Sequence, residues 1–157
     1  MWQAFRNELA LLTGALPESD GRYQPSRLDV FPTPDGCGYL LWRPHPRTGE
    51  AAPIGFAVVR GLKGPERSLL AFWIAPAARR GGLGRQFARD VIAHHPGEWA
   101  IAFQAENAPA APFWAAVADA AAGPGRWEQS AVPVPGRPEL PPDQWLRFAT
   151  ERRAPVS

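Results

Sequence analysis

The stretch that most limits how this chain can fold is Ser68–Arg85, reading SLLAFWIAPAARRGGLGR. Its first part, Ser68–Ala75, is nearly continuous in apolar residues, the pattern of a strand in the centre of a sheet. Gly81, Gly82 and Gly84 then allow a tight turn and a close approach of backbone to a ligand, with no Cβ in the way. Gly82–His95 places Leu83, Phe87, Val91 and Ile92 on one face and Arg85, Arg89 and Asp90 on the other. That is an amphipathic helix, stopped by Pro96-Gly97. A strand turned through glycines into a helix aims the helix's first unpaired N–H groups, and its positive dipole end, into the turn. A pyrophosphate fits such a place, and Arg79, Arg80 and Arg85 bracket it. The same residues also read as a glycine-rich connector with solvated arginines. No Gly-Lys-Ser/Thr follows, as a Walker loop requires, and G-x-G-x-x-G is absent.

The rest of the chain supplies alternating elements. Residues 2–13 carry Trp2, Phe5, Leu9 and Leu12 at helical spacing, ended by Gly14 and Pro17. Residues 14–37 are rich in Gly, Pro, Asp and Ser, with a short helical turn expected near Arg27–Val30. Segments 38–43 and 53–60 read as a hairpin, 98–104 as a further strand, and 109–122 as a second alanine-rich helix bearing Phe113, Trp114 and Val117. Strands 127–134 and 144–150 follow, separated by a proline-rich loop that cannot pair in a ladder. The order predicts an α/β domain whose mixed sheet has antiparallel hairpins flanking one strand–helix–strand crossover.

At 157 residues the chain suits a single domain spanning 1–157, with 1–37 as an N-terminal helix and loop. No apolar run nears the ~20 residues of a membrane helix. Arg6 and Glu8 interrupt what would be the apolar part of a signal peptide. A lone cysteine, Cys37, excludes an internal disulfide and a Cys-based zinc cluster, so a reducing cytoplasm is the expected setting. The net charge is +2, and the seventeen basic residues form no run longer than two, which argues against a nucleic-acid partner. No metal is expected, because no His/Asp/Glu cluster has ligand spacing. Seven tryptophans and exposed hairpin edges are compatible with a monomer or a homodimer.

Within this setting, Arg79-x-x-Gly82-x-Gly84 is similar to the Arg/Gln-x-x-Gly-x-Gly/Ala turn that holds acetyl-CoA in GNAT N-acetyltransferases. A second element of that superfamily, Asn-x-x-Ala-x-x-Phe-Tyr, has its counterpart in Asn107-x-x-Ala110-x-x-Phe113-Trp114. One helix and one strand separate the two, as the family requires. The resemblance covers roughly 39–150. It is strongest to a bacterial subgroup with Phe-Trp in the second motif and an Asp/Gly-rich segment, here SDGRYQPSRLD, before the first hairpin.

The resemblance implies an α/β (α+β) fold in which strands 68–75 and 98–104 splay into a wedge. Pantetheine would lie there against backbone groups of Phe72, Trp73 and Ile74, one amide serving as oxyanion donor. Arg79, Arg80, Gly81, Gly82, Leu83, Gly84 and Arg85 would hold the phosphates. Asn107 would bind the pantetheine arm, cap the next helix, or do both. Phe113 would pack beside the donor or in the core. The implied activity is transfer of an acetyl or other short acyl group from acyl-CoA to a primary amine of a small molecule, by direct attack in a ternary complex. A peptide or protein amine is the alternative acceptor, and a non-catalytic acyl-CoA-binding domain the alternative function.

Two departures bear on the chemistry. Trp114 stands where many members have the tyrosine that protonates the departing thiolate, and an indole N–H cannot do so. The strand SLLAFWI also lacks the glutamate that many members use as base. Glu106, beside Asn107, is the nearest substitute; Asp20, Tyr23 and Asp29 are candidates on the acceptor side. Each of them also reads as a solvated loop residue. His94 and His95 end a helix away from the wedge and suit its C-terminus, while His45 lies in a hairpin loop. The family usually begins with a strand, whereas this chain begins in a helix. Either that edge strand is missing or the true start lies upstream.

Overall fold

The computed structural model describes residues 1–24, 28 and 33–151. In chain order it forms α1 (Trp2–Thr13), β1 (Gly36–Pro44), β2 (Ala51–Arg60), β3 (Glu66–Ile74), a 3-10 turn (Pro76–Ala78), α2 (Leu83–Ala93), β4 (Gly97–Phe103), α3 (Ala110–Ala122), β5 (Trp127–Val132) and β6 (Asp143–Thr150). The periodicities place every one of these helices and strands to within two residues at each boundary. The helical turn expected near Arg27–Val30 falls, apart from Leu28, outside the described residues.

The strands make one six-stranded sheet in the order β1-β2-β3-β4-β6-β5. All neighbours are antiparallel except β3 and β4, which the crossover through α2 makes parallel. Helices α2 and α3 cover one face, with Phe87, Val91, Ile92, Trp114 and Val117 packed on Val59, Leu69, Trp99, Ile101 and Leu146. On the other face, Trp2 and Phe5 of α1 pack on Phe56, Val58, Ala71 and Trp73. Cover on both faces explains why β2 is buried on five consecutive residues, Gly55–Val59, rather than on alternate ones.

Two irregularities in β3 shape the molecule. Val58 pairs with Ala71 and Val59 with Leu69, so Leu70 is an extra residue, a bulge. The bulge resets the alternation: Leu70 and Ala71 both contribute to the α1 face, and Phe72 and Ile74 return to the α2–α3 face. Beyond that, β3 pairs with β4 only through Glu66↔Glu98, Arg67↔Trp99 and Ser68↔Ala100. From Leu69 onward the two strands part, which is the wedge expected between them.

Away from the wedge, the link between α3 and β5 is held by Asp119, whose Oδ1 accepts from Gly125 N and Trp127 Nε1, both at 2.8 Å. Those bonds hold its carboxyl below the usual range. At the C-terminus of α2, His94 Nδ1–H donates to Asp90 O at 2.6 Å, and the carbonyl of His95 accepts from Trp99 Nε1 at 3.0 Å. His95 Nε2 and Tyr39 Oη are hydrogen-bonded at 2.6 Å. Burial, then His94 and Arg67, push the His95 pKa below its ordinary 6.5. A depressed folded pKa means that the unfolded chain takes up the proton first. The stability His95 contributes is therefore complete above 6.5 and lost as the pH falls from there through the folded value. Thermal melts between about pH 7 and about pH 5.5 should show a declining Tm, with a shallower slope in His95→Gln. Equal slopes would remove His95 as the cause.

Candidate functional site

The turn between β3 and α2 departs from ordinary backbone at two places. Arg80 has φ 72° and is the only non-glycine among the described residues in the left-handed region. Gly82 has φ 77° and takes the N-cap position of α2. A left-handed residue other than glycine costs roughly 1–2 kcal/mol, so the turn is held against a local preference. A Cβ built on Gly81 or Gly82 meets nothing within 4 Å, so open space lies over the helix start. At Gly84 a Cβ would lie 3.4 Å from Ile74 Cγ1 and 3.5 Å from Phe113, ordinary contact that also suits the alanine found in the related motif. No side chain caps α2 and no acidic residue lies in its first turn. The first N–H groups of α2 thus remain available to an anion, and a phosphate fits this cradle.

Arg79 is engaged within the protein. Its Nε donates to Ile74 O at 2.8 Å, and its Nη2 reaches both oxygens of Glu8, at 2.7 and 3.0 Å. Trp73 Nε1 donates to the same carboxylate at 2.8 Å. Glu8 thereby ties α1 to the end of β3 and offsets the charge of Arg79. Arg80 and Arg85 form no ion pair among the described residues and remain as cations beside the turn.

The splayed edge of β3 follows from register. Ala75 N donates to Ile54 O, so the backbone groups of Ala75, and of Trp73 two residues earlier, turn towards β2. Those of Phe72 and Ile74 turn the other way, into the gap left by β4. The Ile74 carbonyl is taken by Arg79. The Phe72 amide and carbonyl and the Ile74 amide are left facing the gap. Below them lies an aromatic cluster: Phe72 packs on Phe87, Phe113 and Trp114, with ring centroids 5.7, 5.8 and 5.2 Å apart.

A cleft of about 810 Å³ joins these features. Its lining runs from Arg80, Gly82, Gly84 and Arg85 at the turn, past Phe72, Trp73 and Ile74, to Glu106, Asn107, Phe113 and Trp114. Its far wall is α1, through Phe5, Glu8, Leu9, Leu11 and Leu12. Because α1 and the α2–α3 pair lie on opposite faces of the sheet, the cleft passes through the splayed strands.

The model of the acetyltransferase (GNAT) family matches residues 2–118. The chain belongs to that family. It is an N-acetyltransferase by type, with amines as the acceptors and acetyl-CoA as the donor of the family. Solved GNAT structures share the fold at low identity. A Bacillus subtilis acetyltransferase in complex with CoA has a TM-score of 0.58 at 10% identity, covering 82% of this chain and 85% of that one. The ribosomal-protein-S18-alanine N-acetyltransferase of Escherichia coli has 0.53 at 13%, covering 87% and 83%. A spermidine N-acetyltransferase chimera of Vibrio cholerae SpeG and hSSAT has 0.54 at 10%, covering 78% and 71%. A comparison with curated proteins finds no match.

In this GNAT chain the residues expected around the donor are brought together, apart from Gly81 in the turn and Leu83 at the start of α2, which do not line the cleft; Trp73 lines it, but its backbone groups pair with β2 instead of facing the gap as expected. The acceptor-side expectations fare differently. Tyr23 is buried: its N–H donates to Gln3 Oε1 and its carbonyl accepts from Gln3 Nε2, which pins this segment to α1. Asp20 closes a local turn by accepting from Arg22 N at 2.9 Å. Neither lines the cleft, and Asp29 lies outside the described residues. Asn107 does not cap α3. Pro109 takes the N-cap position, and Asn107 contributes only its carbonyl, to Ala110 N at 2.8 Å, leaving its side chain to the cleft. His45 Nδ1 accepts from Thr48 N at 3.3 Å, organising the β1–β2 loop. Sequence reasoning missed Glu8. The signal was available: with Phe5, Leu9 and Leu12 it occupies the i, i+3, i+4, i+7 stripe of α1, a carboxylate inside an otherwise apolar face.

Among the described residues no group of His, Cys, Asp and Glu could hold a metal ion, and no helix is long and apolar enough to cross a membrane.

Proposed function

We propose that the protein transfers an acetyl or another short acyl group from acyl-CoA to the primary amine of a small molecule, by direct attack in a ternary complex. The observation that carries this reading is the single cleft running from the uncapped start of α2, along the free edge of β3, to the α1 wall. Such a cleft can seat donor and acceptor from opposite faces of the sheet.

Bound acyl-CoA supplies a thioester carbonyl open to attack and a thiol as leaving group. The N-terminus of α2, with Arg80 and Arg85, holds the phosphates. The free backbone groups of Phe72 and Ile74 align the pantetheine, and an amide there stabilises the developing oxyanion. The side chain of Asn107 bonds the same arm. Phe113 and Trp114 form an apolar floor that keeps water from the reacting centre. Glu106, at the cleft edge, takes the proton of the attacking amine, directly or through water. Trp114 donates at most a hydrogen bond to the departing sulfur; a thiol of pKa about 8.5 leaves without an acid.

A second reading is a domain that binds acyl-CoA without turning it over, favoured by Trp114 at the tyrosine position and by the lack of a carboxylate along Ser68–Ile74 of β3. Release of free thiol from acetyl-CoA, followed across a panel of small amines and short peptides, decides between them. The expected result is thiol release that depends on added amine. Coenzyme A binding with no release on any acceptor would replace the enzyme reading by the binding one.

A further inference from the structure

Resting on the acyl-transfer reading above, we propose that the acceptor is a monoamine with an apolar body, an alkyl- or arylalkylamine, lying along α1. Two observations carry this. The wall opposite the donor turn is apolar: α1 presents Phe5, Leu9, Leu11 and Leu12 to the cleft. Leu11 and Leu12 are 85% and 37% exposed, large apolar side chains held in water beside a functional cavity. A hydrocarbon laid against them removes that surface from water without leaving a polar group unpaired.

The charges lining the cleft point the same way. Among the described residues its cations are Arg79, Arg80 and Arg85, and its carboxylates are Glu8 and Glu106. Both oxygens of Glu8 are already engaged by Arg79, and one of them by Trp73 as well. Among the described residues, Glu106 is the carboxylate of the cleft left to meet an ammonium group. A polyamine or an aminoglycoside carries several. Each ammonium after the first would face an arginine or the leucine wall, losing water with no counter-charge in return. One cationic head and a hydrocarbon tail match the inventory of the cleft, and the tail sets specificity.

The test uses the full chain with saturating acetyl-CoA and n-alkylamines from propyl to octyl, together with 2-phenylethylamine, spermidine and kanamycin. Ammonium basicity hardly changes along the alkyl series, so its slope reports the wall. The value of kcat/KM should rise about fourfold per methylene until the wall is filled. Spermidine and kanamycin should fall below hexylamine. Leu12→Asp, at a partly exposed position, should flatten the alkyl slope and move preference towards diamines, a shift that a merely destabilised protein would not show. A flat series, or a higher kcat/KM for spermidine or kanamycin, overturns the proposal. If no amine releases thiol, the same series titrated against the tryptophan fluorescence of the CoA-saturated protein separates the two ideas. Affinity graded by chain length keeps the apolar subsite and removes acyl transfer, whereas no binding overturns the subsite itself.

Discussion

Gly82→Val should weaken coenzyme A binding by about 100-fold or more while leaving the protein folded, as read by calorimetry beside circular dichroism. Gly82 sits at φ 77° at the N-cap of α2, and a Cβ there meets no atom within 4 Å. The added Cβ therefore clashes with nothing in the protein, and the cost to the fold is backbone strain of at least about 1–2 kcal/mol. The new side chain instead projects into the space over the helix start, where phosphate oxygens would accept from the first N–H groups of α2. Hydrogen bonds to charged groups contribute roughly 1.5–3 kcal/mol each, so loss of even two exceeds the factor stated. Gly84→Ala provides the control within the same motif. Its added Cβ makes ordinary contact with Ile74 and Phe113, and binding should stay within a few-fold of the parent. Unchanged affinity in Gly82→Val would move the donor away from this turn.

The proposed donor half of the site is legible because it is local in sequence. Arg79–Arg85 is a continuous turn between two elements whose periodicities are clear, and Asn107–Trp114 is one loop and the first turn of a helix. Its geometry needs no distant residue to be named. The proposed acceptor half is built from contacts that no local pattern encodes. Glu8 meets Arg79 across 71 positions and Trp73 across 65. The bulge at Leu70 was hidden because every residue from Ser68 to Ala75 suits either face of a strand buried on both sides, so no alternation was present to be broken. Tyr23 was misjudged for a related reason. Its polar, glycine-containing surroundings read as surface loop, and only the paired bonds from Gln3, twenty positions away, bring it inside. Arg79 likewise read as a phosphate ligand, although folding commits its guanidinium to Ile74 and Glu8.

Glu106→Gln should lower kcat at neutral pH by about 100-fold with coenzyme A affinity unchanged, and Glu8→Gln should produce a different pattern. Both carboxylates line the cleft, so position alone does not separate a base from a brace. Their partners do. Glu8 accepts from Trp73 and, through both oxygens, from Arg79, which leaves it poorly placed to receive a proton from an amine. Glu106 makes no side-chain hydrogen bond or ion pair among the described residues and stands next to Asn107 at the cleft edge. Removing its charge deletes the proton acceptor and the counter-charge for the amine but disturbs no contact within the protein, so the deficit appears in kcat as well as in the acceptor KM, with the donor unaffected. Glutamine at position 8 keeps a carbonyl for Trp73 but loses the ionic pair with Arg79. That pair is over a third exposed on both sides, so its effect on stability is at most about 1 kcal/mol. The consequence is looser seating of α1 on β3, and the deficit should appear in the KM for amine. Single-turnover rates and acceptor KM measured for the two variants read this contrast. If Glu8→Gln showed the kcat loss and Glu106→Gln none, the roles would exchange, and α1 would carry the base as well as the acceptor wall.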